Sequence, residues 1–138
     1  MSMGIKQQYA NISKLGKITT PYLGSTKDEP SHPGIDIANK NGTPIIANIK
    51  GKVIGISKDV KDFGNSLIVK DSKGNIHRYS HLKEIFMGKG GKFDKGTQIA
   101  SMGDTGNSYS PTGGDASHVD YRVFDKKGKS INPIKFFK

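Results

Sequence analysis

Three observations predict an all-β domain. Short apolar or alternating runs follow one another closely, Gly-rich turns separate them, and no interval is long enough for a crossover helix. The 138 residues are enough for one domain with a real core, and 18 glycines spread as turn punctuation favour a compact, loop-rich β protein. A small antiparallel β sandwich or open barrel is expected, and parallel βαβ architecture is excluded. Residues 1–138 read as a single domain, with 1–15 a polar, peripheral N-terminal segment.

Residues 5–12 offer at most a turn or two of helix, and 18–22 read as a short strand entering the loop 24–33. The cluster His32-Pro33-Gly34-Ile35-Asp36 sits where that loop feeds a strand, 34–38. After a turn at 39–43 come two apolar runs, 44–48 and 52–57, broken at Lys50-Gly51. A strand at 66–71, the turn Ser72-Lys73-Gly74-Asn75 and a strand at 76–81 form a hairpin whose second strand carries His81. Residues 82–87 read as a single helical turn, 88–96 as a basic Gly-rich loop and 97–103 as a strand. A long loop, 104–117, has the length usually reserved for function. The last strand, 116–124, precedes a turn at Lys126-Lys127-Gly128-Lys129. An apolar tail then follows, in which Ile131, Pro133, Ile134, Phe136 and Phe137 dock on the sheet.

Composition narrows the chemistry. With no cysteine, disulfides and thiolate zinc sites are both excluded, and any metal must be held by His and carboxylate. The net charge of +10 is almost all lysine, Arg78 and Arg122 being the only arginines. Lysine attracts polyanions diffusely, whereas base or bidentate phosphate readout recruits arginine, so nucleic acid is weakly supported, an anionic bacterial wall would attract the charge equally well, and a solvated Lys-rich surface with no specific partner also accounts for it. No window approaches a membrane span, and residues 1–24 lack the apolar core of a signal peptide. An extracellular or virion-associated protein is expected, carried out by a parent chain, a virion or lysis.

In the last strand His118 and Asp120 stand two residues apart, so both side chains point the same way. A catalytic zinc needs three protein ligands beside an open position, and His32, Asp36 and Asp120 can supply them. His81 and His118 then remain as imidazoles able to orient or deprotonate a water there and to stabilise a developing oxyanion. Singly, each histidine also fits a surface or turn role, and Asp36 a turn cap. By alternation His77 shares the face of Tyr79 and His81, and it reads as structural or rim-lining. No nucleophile elbow accompanies the serines, no phosphate-binding glycine loop joins a helix, and no pair of acids stands out as a glycosidase would require.

Ordered motifs run from about Gly16 to Phe137. They include Gly16-Lys17-Ile18-Thr19-Thr20-Pro21-Tyr22, His32-Pro33-Gly34-Ile35-Asp36-Ile37-Ala38, and Gly42-Thr43-Pro44-Ile45-Ile46-Ala47 through Gly51-Lys52-Val53. Phe63-Gly64-Asn65, Tyr79-Ser80-His81-Leu82, Gly96-Thr97-Gln98-Ile99-Ala100 with Gly106, and Asn132-Pro133 complete the set. Together they resemble the lysostaphin-type zinc endopeptidases, which cut peptide bonds in bacterial peptidoglycan. The resemblance implies zinc ligands at His32 and Asp36, a catalytic pair at His81 and His118, and an open antiparallel β structure with a groove floored by the metal. The departure is Asp120, where the family usually has the second His of His-x-His as third ligand. A carboxylate oxygen there has similar reach and is an accepted zinc ligand. With two carboxylates the loaded site would be nominally neutral, zinc a poorer Lewis acid, the activity optimum shifted to higher pH, and manganese a better competitor. Lesser departures, in 24–30 and 109–117, flank the expected groove and bear on substrate choice.

The function expected is therefore zinc-dependent hydrolysis of a stem-peptide or cross-bridge bond in peptidoglycan. The setting expected is virion-associated, as at a phage tail, or a domain of a larger protein. Anionic wall polymers and other virion or tail proteins are the further partners expected. The runner-up is an inactive module of the same fold that binds wall or regulates another hydrolase. A basic nucleic-acid-binding β domain comes third.

Overall fold

The computed structural model describes residues 12, 14–24, 31–106 and 117–137. Among them the strands are β1 (Lys17–Thr20), β2 (Ile35–Ala38), β3 (Pro44–Ile46), β4 (Gly51–Val60), β5 (Gly64–Asp71), β6 (Ile76–Ser80), β7 (Leu82–Ile85), β8 (Lys92–Phe93), β9 (Gln98–Met102), β10 (His118–Phe124) and β11 (Ser130–Ile131). The larger sheet runs β1-β2-β10-β6-β5-β4-β8, with β11 beside β10, and the smaller runs β3-β9-β7. Every pairing described is antiparallel, as the short connections require.

β10 lies between β2 and β6, and its alternation decides where everything else sits. Val119, Tyr121 and Val123 are fully buried, and Ile35 and Ile37 of β2 and Tyr79 of β6 join them. Ile45, Leu82, Ile99 and Met102 from the smaller sheet complete the same hydrophobic cluster, so the two sheets share one core. Each such aliphatic side chain contributes about 1.5–3 kcal/mol on burial. The residues between them, His118, Asp120 and Arg122 on β10 and Asp36 on β2, fall on the opposite face.

Four expectations need correction. Residues 82–87 are not a helical turn: β7 pairs with β9, which buries Leu82 and satisfies its backbone. The basic loop 88–96 contains a two-residue strand, β8, that closes the edge of β4. The N-terminal segment is peripheral only in part, because Ile12 and Leu15, in a helical turn capped by the Gly16 N–H on the Ile12 carbonyl, are buried in the core. The fourth concerns His77 and is given with the site. Of the loops expected at 24–33 and 104–117, residues 25–30 and 107–116 lie outside the described residues. The apolar tail does dock: Asn132 caps a 3-10 helix, Pro133–Phe136, and Phe137 packs edge-on to the Tyr121 ring.

Candidate metal centre

The site is built on the sheet face that looks away from the core. Strand register puts Asp36 of β2 directly opposite Asp120 of β10. Like charges so placed repel, so the pair calls for a cation. His32 supplies the third donor: its Nε2 lies 3.3 Å from Asp36 Oδ1 and 3.3 Å from Asp120 Oδ2. Its backbone is pinned to the chain leaving β1, with Leu23 N–H donating to the His32 carbonyl and His32 N–H to the Gly24 carbonyl.

Ligand atoms of His32, Asp36 and Asp120 all lie within 4.8 Å of one another. His32 and Asp120 are buried and Asp36 half-buried. Asp36 Oδ1 is a buried acceptor with no hydrogen bond of its own, despite its approach to His32. One imidazole nitrogen and two carboxylate oxygens with a spare acceptor fit a zinc ion of three protein ligands. Burial alone would lower the His32 pKa, but the carboxylate of Asp120, which it hydrogen-bonds, and that of Asp36 beside it overcome burial and raise it from 6.5 to about 10. Burial likewise pushes Asp120 up, and His32 and Arg122 together hold its carboxyl well below the usual range. The pocket is thus tuned for positive charge.

His81 and His118 meet beside these residues, ring centroids 4.4 Å apart. Strand alternation would have sent His81 into the core with His77 and Tyr79. A left-handed backbone at His81, φ 66°, turns it to the site face instead, which is why His77 does not share its face. This conformation is uncommon for a non-glycine residue and is held by two hydrogen bonds. His81 N–H donates to the Phe63 carbonyl at 2.8 Å, and Nδ1 donates to the Thr105 carbonyl at 2.7 Å. That fixes Nε2 as the acceptor. Burial pushes the His81 pKa down, the Thr105 carbonyl opposes this and His118 adds to it, so the ring is held neutral.

Thr105 is itself clamped. Its hydroxyl donates to the Leu82 carbonyl and accepts from Asn65 N–H. Gly64 and Gly106 both have positive φ, and a Cβ on Gly64 would fall 2.3 Å from the Thr105 carbonyl carbon. Only glycine allows this approach.

His77 lies on the core side. Its Nε2 donates to Asp71 at 2.9 Å and its Nδ1 accepts from the Tyr121 hydroxyl at 2.7 Å, with Phe136 edge-on to the ring. It is structural.

The chain has relatives among known proteins. Residues 30–133 match the model of peptidase family M23. The chain belongs to this family. A relative, murein hydrolase activator NlpD of Escherichia coli K12, is 32% identical over 88% of this chain, and the chain spans 29% of that relative's length. A zinc containing peptidase from Vibrio cholerae superposes with a TM-score of 0.72 at 25% identity, covering 89% of this chain and 36% of that one. The antimicrobial peptidase lysostaphin from Staphylococcus simulans shares the fold, with a TM-score of 0.73 at 24% identity over 94% of this chain and 51% of its own.

Within this M23 chain the structure brings together all five predicted site residues. It adds two that sequence reasoning missed. Thr105 left no signal, because only its backbone oxygen meets His81. Arg122 did leave one: it stands two residues beyond Asp120, the spacing that paired Asp120 with His118. Its Nε and Nη2 donate to both Asp120 oxygens, each at 2.9 Å. Arg78, the only other arginine, is its cross-strand neighbour, and Phe63 lies against both guanidinium groups.

Proposed function

We propose that this chain is a zinc-dependent endopeptidase that hydrolyses peptide bonds in bacterial peptidoglycan, in the stem or the cross-bridge. The observation that carries the reading is the convergence of His32, Asp36 and Asp120 with the adjacent His81–His118 pair. His32 would ligate through Nε2, and Asp36 and Asp120 through one carboxylate oxygen each. Zinc bound there supplies a Lewis acid for a peptide carbonyl and for water. His81, neutral and with Nε2 free to accept, takes the proton of the attacking water. His118 donates to the oxygen that gains charge as the carbonyl is attacked, and His81 then passes the proton it took from water to the leaving amine and returns to neutral. Residues 1–138 act in this as one catalytic domain, at the wall outside the cytoplasm.

The lysines extend the same face. Ile76, partnered by Phe124, is followed across the sheet by Lys70, Lys52 and Lys92, each the register partner of the last. All three lysines are exposed. Like charges directly opposite one another are unfavourable, and an anionic wall polymer lying along the sheet relieves them.

A second reading, a non-catalytic activator, is favoured by the E. coli relative, a murein hydrolase activator. Retention of both imidazoles in the geometry of proton transfer argues for the enzyme. Purified peptidoglycan incubated with the chain and analysed by mass spectrometry separates the two. New amino and carboxyl termini that disappear with His81→Ala support hydrolysis. No cleavage by the chain alone, with stimulation of a second hydrolase, supports the activator.

A further inference from the structure

The third ligand position holds a carboxylate where the resemblance leads one to expect an imidazole, and the structure supplies a reason that the exchange is tolerated. Arg122 grips Asp120 as a fork, Nε on Oδ1 and Nη2 on Oδ2, both at 2.9 Å. The two side chains are 7% and 5% exposed. A carboxylate offers about four lone-pair directions, so the fork uses two and leaves the remainder for a cation. Oδ2, gripped by Nη2, is also the oxygen 3.3 Å from His32 Nε2.

The fold is shaped around this arginine. A Cβ on Gly34, midway between His32 and Asp36, would lie 2.6 Å from Arg122 Cγ, so the segment joining two ligands passes directly over its stem. The Phe63 ring, 4.9 Å from the guanidinium carbon, covers it from another side. Arg122 is therefore held by a carboxylate, a glycine and an aromatic ring. A buried ion pair seldom repays its desolvation as a stabilising device, which points to a role in the site it adjoins.

We propose that Asp120 and Arg122 act as one formally neutral metal ligand, electrostatically equivalent to an imidazole, with Arg122 as the positioning residue. This rests on the zinc reading above. The Arg122 charge cancels that of Asp120, so His32, Asp36 and the pair together carry a single negative charge, as two imidazoles and one carboxylate would. The weaker Lewis acid and the upward shift of the pH optimum expected from a second carboxylate are then offset. Arg122 also fixes which Asp120 lone pairs face the cation, as partners behind metal ligands commonly do.

The test exchanges the pair as a unit and reads zinc affinity by competition with a chromogenic chelator, beside thermal melting to establish folding. Asp120→His alone leaves Arg122 without its acceptor and next to a dication. It should weaken zinc binding at least about tenfold, within the range such partners typically carry. Adding Arg122→Gln to Asp120→His should restore affinity to within about threefold of the parent. In the parent, Arg122→Lys keeps the charge but loses the bidentate fork, so zinc affinity should fall, though by less than in Asp120→His. The proposal is overturned if Asp120→His binds zinc as tightly as the parent, if Arg122→Gln recovers melting temperature without recovering zinc, or if Arg122→Lys loses zinc as severely as Asp120→His. A parent that takes up no zinc overturns the underlying zinc reading, a result distinct from all three.

Discussion

His32 and His77 are both buried and both face carboxylates, but their surroundings differ in what is left over. Around His77 donors and acceptors balance: one ring nitrogen meets Asp71, the other the Tyr121 hydroxyl, and Asn48 links Tyr121 to Tyr79 and to the Phe136 carbonyl. Around His32 there are two carboxylates for one ring nitrogen, and Asp36 Oδ1 keeps no hydrogen bond. The pKa directions follow. Burial dominates at His77 and lowers it, whereas the acids dominate at His32 and raise it. A satisfied polar network holds the fold, and a surplus of acceptors marks a cation site.

The comparison is broken most sharply at the catalytic pair. His81→Ala should reduce wall cleavage by about a hundredfold or more, the usual weight of a general base, with zinc content unchanged. A cleavage assay beside elemental analysis checks both halves. On the other side, His77→Ala leaves the buried Tyr121 hydroxyl without its acceptor and opens a cavity beneath Asp71, and should remove about 3 kcal/mol of stability, while folded protein keeps its zinc. Urea denaturation measures the first, and metal content of the folded fraction the second.

A smaller effect sharpens the same contrast. Burial keeps the folded His77 pKa below 6.5, so the unfolded chain takes up a proton there that the folded chain refuses. Stability should therefore fall as pH drops from about 6.5 through the folded pKa, by up to about 1.4 kcal/mol per pH unit. Asp71, held low mainly by the His77 hydrogen bond against its burial, adds a loss only as pH falls below 3.8. His77→Gln should flatten the first part of this profile, as read by melting temperature against pH.

Much of the fold was legible because its signals are local. Alternation along 116–124 put His118 and Asp120 on one face, and β10 obeys it, with Val119, Tyr121 and Val123 turned to the core on the other. The same rule failed at His81, where a left-handed residue resets the strand face and no neighbouring glycine announces it. Residues 82–87 were misread because β7 is specified by its partner β9 rather than by its own sequence. Ile12 and Leu15 carry too weak a helical pattern to show that they reach the core. Arg122 was readable from its spacing, yet lysine dominates the composition so strongly that charge alone drew attention to the surface.

The most direct measurement is zinc content per chain, by elemental analysis of protein purified without added metal, for the parent and for Asp120→Ala. About one zinc per parent chain is expected, as three protein ligands beside an open position hold, and little or none in the variant. A parent that stays free of metal when zinc is supplied at mildly alkaline pH would contradict it, leaving a peptidase fold whose acidic cluster serves some other purpose.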